Sequence, residues 1–231
     1  MIVLDDRLAA AESMVRPGSR VADVGTDHGY LIARLLLSGK AVFGYACDIH
    51  PKPLEKARET LAQYGLLDRA KLCLGDGLQG LCPDQVDDIV IAGMGGDTIL
   101  HILDEAGWQD PAQRFVLQPM TKAHELRSGL AARGYGLLQE QAALAKGFAY
   151  AVMQVQWTGV RRQISALEAR VGLMAQCPSQ AAQAYLANQA AVVRKMAEGM
   201  ALSNTKRNES EKYYELYQEI QAICRDMGEK R

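Results

Sequence analysis

The stretch ADVGTDHGYL, residues 22–31, carries an apolar run into two glycines, two carboxylates, a threonine and a histidine, and then into the helical pattern of HGYLIARLLLSG. A strand that hands the chain to a helix through a glycine turn is the start of a βα unit, and the unit recurs downstream. AVFGYACDI is followed by PKPLEKARETLAQYG, DDIVIAGMGG by DTILHILDEAG, and RFVLQPM by TKAHELRSGLAARG, with the short run AKLCLGDG between the first two of these pairs. Strands alternating with helices predict a parallel sheet with helices on both faces, and strands buried on both sides read as continuous apolar runs, as AVFGYAC and IVIAGM do. The pair YGLLQEQAALA and AYAVMQVQW has no helix between its members, only Lys146-Gly147 near the turn, which predicts an antiparallel hairpin closing the sheet. Ahead of the first strand, LDDRLAAAESMV reads as an amphipathic helix ended by Pro17-Gly18.

The expected fold is therefore α/β and Rossmann-like: a seven-stranded, mostly parallel sheet with an antiparallel final hairpin, spanning residues 1–158. After Trp157 the β pattern stops. Residues 160–175, 179–202 and 207–227 read as helices, broken at Cys177-Pro178 and around Ser203-Asn204, and residues 159–231 are expected to form a helical coiled-coil hairpin. Leu186, Val193, Met196 and Met200 form one stripe, and Tyr213, Leu216, Ile220 and Ile223 the facing one.

Composition sets wider bounds. The chain has 231 residues, 48% apolar and 23% charged, ordinary for a globular protein with a substantial core. No run approaches the roughly 20 apolar residues that span a bilayer, and MIVLDDRL lacks the marks of a signal peptide, so a cytoplasmic location is expected. Cys47, Cys73, Cys82, Cys177 and Cys224 are odd in number and widely spread, which suggests neither a zinc site nor a disulfide framework. The formal net charge of -1 is unevenly divided: residues 1–158 hold 15 Lys+Arg against 19 Asp+Glu, and residues 159–231 hold 11 against 8. The basic carboxy-terminal part is compatible with holding a polyanion.

In an open parallel sheet the ligand crevice lies beyond the carboxyl ends of the strands, where strand order reverses. A pyrophosphate-binding turn there normally shows G-x-G-x-x-G; this one has only Gly25 and Gly29, and adds Asp23 and Asp27, which would repel a pyrophosphate. The carboxylates suit a ligand with cationic and hydroxyl-bearing parts, such as S-adenosylmethionine (SAM). Asp48 closes the second strand, where an acidic side chain accepts hydrogen bonds from ribose hydroxyls, and Asp76 ends the third between Gly75 and Gly77, which let backbone approach a ligand closely. The fourth strand ends in the glycine-rich AGMGG, residues 92–96, and the fifth in LQPM, residues 117–120.

DVGTDHGYL, LGDGL, IVIAGMGG and LQPM together resemble the bacterial tRNA (adenine(22)-N1)-methyltransferases over roughly residues 3–158, and the helical extension is similar to theirs. The resemblance implies a SAM-dependent enzyme that methylates N1 of an adenosine in the D-loop region of tRNA. Asp23, Gly25, Thr26, Gly29, Asp48, Ile49, Gly75, Asp76, Gly77, Ala92, Gly93 and Met94 are then expected around the cofactor. Gly95, Gly96, Gln118, Pro119, Met120, Lys122 and Arg127 are expected toward the substrate, with His124 nearby. The chain departs from the family at Met120, where an asparagine is usual; methionine offers the ring an apolar contact in place of an amide.

N1 of an unpaired adenine is already nucleophilic, and its methylation leaves a cationic ring, which a nearby carboxylate would stabilise or relieve of an amino proton. Asp27 is the candidate; His28 either orients the loop or touches the base or donor. Arg161, Arg162, Arg194, Lys195, Lys206 and Arg207 are candidates for tRNA phosphates. No metal is expected, and the chain is expected to be a monomer or weak dimer. The alternatives are a SAM-dependent methyltransferase for another RNA, a small molecule or a protein, and an NAD-binding oxidoreductase.

Overall fold

In the computed structural model, which describes residues 2–177, 179–203 and 205–229, the chain builds one seven-stranded sheet. Its strands are β1 (Ser19–Val24), β2 (Ala41–Asp48), β3 (Ala70–Leu74), β4 (Asp88–Gly95), β5 (Arg114–Thr121), β6 (Tyr135–Ala145) and β7 (Phe148–Trp157). Their spatial order is β3-β2-β1-β4-β5-β7-β6, with β1 to β5 parallel and β7 antiparallel to both its neighbours. The expected architecture, final hairpin included, is the observed one. Lys146 and Gly147 both have positive φ, 51° and 81°, as a two-residue hairpin turn requires.

Alternation along the central strands builds two apolar layers, because successive side chains point to opposite faces. Val21, Val90, Val116 and Val152 pack beneath α1 (Asp6–Met14), α2 (Tyr30–Leu37) and α3 (Pro51–Gln63). Val24, Ile89, Ile91, Phe115, Leu117 and Met153 face the other way, toward α4 (Gly96–Ala106), α5 (Ala123–Arg133) and the carboxy-terminal helices. Helix α1 begins where sequence predicts: the Asp5 side chain accepts from the Leu8 amide at 3.0 Å, satisfying one otherwise unpaired donor of the first turn.

The carboxy-terminal part contains α6 (Ala166–Val171), α7 (Gln180–Ala201) and α8 (Arg207–Glu229). Helices α7 and α8 agree with expectation, whereas the helix predicted over 160–175 shrinks to α6 and a single 3-10 turn at Met174–Gln176. Ser165 caps α6 only at its start, and Gly172, at φ 56° and ψ -136°, ends it. The expected breaks at Pro178 and Asn204 lie outside the described residues. Leu186, Ala190 and Val193 are buried with Leu216 and Ile220, and belong to the same apolar layer as Ile91 and Leu117. The helical hairpin therefore shares its core with the sheet.

One buried ionic cluster ties the two parts together. Arg127 of α5 donates to Glu140 Oε1 from Nε (2.9 Å) and Nη2 (2.7 Å), to the Ala169 carbonyl at 2.7 Å and to the Tyr185 hydroxyl at 3.1 Å. Glu140 Oε2 in turn accepts from the Leu173 amide at 2.8 Å. Sheet, α5, α6 and α7 all contribute a partner, so the cluster fixes how the helices sit on the sheet.

Candidate active site

Strand order reverses between β1 and β4, and the crevice beyond their carboxyl ends collects most of the predicted residues. The register places Cys73, Cys47, Val24, Ile91 and Leu117 side by side across five parallel strands. One residue further along, Leu74, Asp48, Gly25, Ala92 and Gln118 form the upper rim. Residues scattered over nearly a hundred positions thus meet along one edge.

The first turn is held by backbone. The amides of Gly25 and Thr26 both donate to the Cys47 carbonyl, at 2.9 and 3.0 Å, and the Gly29 amide donates to Thr26 Oγ1 at 3.2 Å. Gly25 and Gly29 both take positive φ, 81° and 66°, which favours glycine. At Gly29 close packing adds to this, since a Cβ would lie 2.9 Å from Ala57 Cβ and 3.0 Å from its Cα. Thr26 is 2% exposed and spends its hydroxyl inside the turn.

Asp23 is buried beneath this turn. Burial pushes its carboxyl up to about 6, the Asp48 charge adds to the rise, and the Thr26 hydrogen bond opposes it. A buried carboxylate near neutrality is poised to welcome a cation. Asp27 points the other way, its side chain 77% exposed, and its Oδ2 lies 2.9 Å from His28 Nδ1. His28 stacks on Tyr30 at 5.1 Å between ring centroids, with an interplanar angle of 11°. Asp27 and His28 therefore form one unit at the crevice mouth: the aspartate and the tyrosine together fix the imidazole, leaving Nε2 facing away from the carboxylate.

The second and third loops complete the wall. Asp48 Oδ1 accepts from the His50 amide at 2.7 Å, which turns the chain and leaves Oδ2 without a partner among the described residues. Ile49, the residue after Asp48, is 55% exposed. The Gly75 amide donates to the Asp48 carbonyl at 3.1 Å, seating the third loop beside the second, and Asp76 next to it is exposed. Gly77 packs against Ile102 of α4.

At the ends of β4 and β5 the expected residues are held in different ways. Met94 reaches back over the first turn, its terminal methyl against Gly25. Gly95 and Gly96 pack against the Thr121-Lys122 segment, where a Cβ on Gly96 would lie 2.7 Å from the Lys122 carbonyl. They are spacers that let α4 start close to β5. Gln118 is fully buried: its Oε1 accepts from the Gly93 amide (3.1 Å) and from Arg7 Nη1 (2.9 Å), and its Nε2 donates to the Pro119 carbonyl (3.0 Å). It organises the rim through backbone. Met120 is 38% exposed at the strand end, with Sδ 3.1 Å from Arg7 Nη1.

Arg127 is a correction to the sequence reading. It is 4% exposed with its donors committed to Glu140, Ala169 and Tyr185, so it holds the fold and cannot meet a substrate phosphate. Lys122 stays at the surface and pairs with Asp97 and, at 3.5 Å, with Glu125. Of the carboxy-terminal cations, Arg162 and Arg194 are paired with Glu168 and Glu198, while Arg161, Lys195, Lys206 and Arg207 are exposed. Sequence reasoning missed Arg7, which comes from α1 and reaches Gln118, Met120 and, at 5.8 Å, the Tyr150 ring. Its one local partner, Asp5 at 2.6 Å, says nothing of the crevice, and the partners that place it there lie 111 and 113 residues away.

Residues 4–153 match the family described as methyltransferase domain. The chain belongs to that family. The nicotinamide-dependent alternative falls away with this finding. The methyltransferase is 34% identical over 152 residues to the tRNA (adenine(22)-N(1))-methyltransferase of Bacillus subtilis, an alignment covering 65% of this chain and 63% of that relative. The chain thus spans less than two thirds of that curated relative's length. In structure it is similar to the Bacillus subtilis M1A22 tRNA methyltransferase TrmK, with a TM-score of 0.81 at 25% identity over 98% of this chain and 99% of the other. Sp1610 of Streptococcus pneumoniae, solved in complex with S-adenosyl-L-methionine, gives 0.78 at 27% identity over 94% and 99%. These relatives include the enzymes that the motifs resemble. Among the described residues, no helix is long and apolar enough to cross a membrane.

Proposed function

We propose that this methyltransferase uses SAM to methylate N1 of adenosine 22 in the D-loop region of tRNA. The observation that carries the reading is the rim of the switch-point crevice, where Asp23, Asp48 and Asp76 stand at the carboxyl ends of three neighbouring strands and the first turn carries no G-x-G-x-x-G pyrophosphate cradle. The likeness to the Bacillus subtilis enzyme supports the choice of substrate.

The residues fit the cofactor. The free Oδ2 of Asp48 suits the ribose hydroxyls, exposed Ile49 an adenine face, Asp76 and its neighbouring amides the adenine edge, and buried Asp23 the cationic methionine end. SAM, when bound, supplies a methyl group activated by its sulfonium. The chain's own contribution is alignment and charge. Asp27, exposed at the mouth and oriented against His28, stabilises the positive charge that develops on the adenine ring or receives the amino proton. Met120, Pro119 and Gly93, held by Gln118, form the apolar ledge on which the base rests. Because N1 is occupied in a base pair, the adenosine enters unstacked and unpaired. The enzyme works in the cytoplasm, as a monomer or weak dimer that light scattering would distinguish.

The test is methyl transfer from labelled SAM to unmodified tRNA, followed by mass mapping of the nucleosides. 1-Methyladenosine at position 22 is expected. Label appearing only in protein or small molecules, or at another base, would overturn the assignment.

A further inference from the structure

A cavity of about 370 Å³ opens beside Met120 and runs between the tip of the β6–β7 hairpin and α7. It falls within the size range of ligand pockets, about 300–1,000 Å³. Its walls combine aromatic rings, side-chain amides and cations, and contain no carboxylate. Phe148 stands at the mouth, 66% exposed, with Tyr150 beside it at 6.4 Å between ring centroids. The two rings side by side give the mouth an aromatic surface of the kind on which a planar base stacks.

Arg170 forms the floor. It is 8% exposed, yet among the described residues no carboxylate lies within ion-pair distance of it. Its guanidinium finds only Gln189 Oε1 at 3.3 Å and Met196 Sδ at 3.7 Å. Glu125 is the carboxylate whose charge reaches it, and that side chain is shared with Lys122 at 3.5 Å and His124 at 3.8 Å. A buried cation without a counter-ion is costly to keep, and an anion entering the cavity would relieve it. Arg127, whose Nη1 lies 3.4 Å from the Arg170 carbonyl, has its Glu140; Arg170 has no such partner among the described residues.

We propose that this cavity holds an unpaired nucleotide next to the target adenosine on the RNA strand, its phosphate against Arg170 and its base stacked on Phe148. The inference rests on the RNA substrate argued above. Continuity supports it, because Pro119 and Met120 belong both to the cavity wall and to the ledge proposed for the target base. Chemistry supports it too: a ring to stack on, amides of Asn188 and Gln189 to meet base edges, and a cation for the phosphate are the elements of single-strand recognition. An extra nucleotide gripped here would hold the target adenosine out of its stack during transfer.

The test compares wild type, Phe148→Ala and Arg170→Gln, with tRNA carrying 2-aminopurine on one or the other side of the target adenosine. Wild type should quench the probe at one of the two positions, and Phe148→Ala should abolish the quench and weaken tRNA binding about tenfold, the scale of one lost stacked base. Arg170→Gln should flatten the plot of log affinity against log salt by about one unit. SAM binding by calorimetry should be unchanged in both variants. If wild type methylates tRNA but no probe position is quenched and Phe148→Ala binds tRNA as wild type does, the cavity proposal is wrong. If wild type does not methylate tRNA at all, the proposed substrate is wrong instead.

Discussion

Replacing Arg127 by methionine tests whether it belongs to the fold or to the substrate. In the native protein Glu140 accepts two charge-assisted bonds from Arg127 and one from the Leu173 amide, and its side chain is fully buried. Arg127→Met would leave that carboxylate buried with a single donor, and would strand the Ala169 carbonyl and the Tyr185 hydroxyl. Removing one partner of a buried ion pair costs about 3–5 kcal/mol. In a chain of this size each kcal/mol is worth about 2–4 °C, so the melting temperature should fall by roughly 6–20 °C. The double variant Arg127→Met/Glu140→Leu, which removes both charges, should recover much of this loss, because desolvating the pair offsets a large part of its attraction. Thermal and urea unfolding of the two single variants and the double variant form a double-mutant cycle, with SAM affinity measured below the transition of each. Strictly additive losses, or a melting temperature unchanged in Arg127→Met with tRNA affinity reduced, would refute the structural role and return Arg127 to the substrate surface.

Asp23 makes ligand binding pH-dependent. With its carboxyl raised to about 6, the group stabilises the unliganded fold most below its ordinary value of 3.8, and that contribution is lost as pH rises through 6, while affinity for a cationic ligand grows over the same interval. SAM should bind about tenfold more tightly at pH 7 than at pH 5, and calorimetry showing equal affinity at the two would contradict the placement of Asp23. Asp27→Asn should lower kcat for tRNA by about a hundredfold or more, the usual weight of acid–base assistance, with the SAM dissociation constant unaltered; a loss under about threefold removes Asp27 from the chemistry. Asp48→Asn should instead weaken SAM binding by about 1.5–3 kcal/mol, and an unaltered isotherm would exclude it from the cofactor site. Gly172→Ala should destabilise the protein by about 1–3 kcal/mol or more, since φ is 56° and the new methyl would meet Glu140 Oε2; a normal unfolding midpoint would show that the junction relaxes freely.

The βα rhythm was readable in the sequence because it is local: apolar runs of strand length, glycine turns and helical periodicity each express themselves within a dozen residues. The order of the acidic loops was readable for the same reason, since a parallel βα sheet puts every strand-end loop on one edge. The retreat of the helix predicted over 160–175 shows where that reading stops. Its composition favours helix, but Gly172 is held against Arg127 and Glu140 by contacts from α5 and β6.

The site residues divide along the same line. Asp23, Gly25, Asp48 and Asp76 take their positions from strand ends that the pattern itself marks. Arg127 and Gln118 carry the charge and polarity expected of substrate contacts, and only their burial reveals that they hold the framework. Arg7 and Arg170 were invisible for the converse reason, because what matters about each is a partner, or the want of one, far along the chain. The sequence by itself determined the sheet, its loops and the acidic rim, since these follow from periodicity and turn chemistry. Which cations face a ligand and which lock the fold was decided only by tertiary packing, because a charge acquires its role from its burial and its counter-ion, and neither is a local property of the chain.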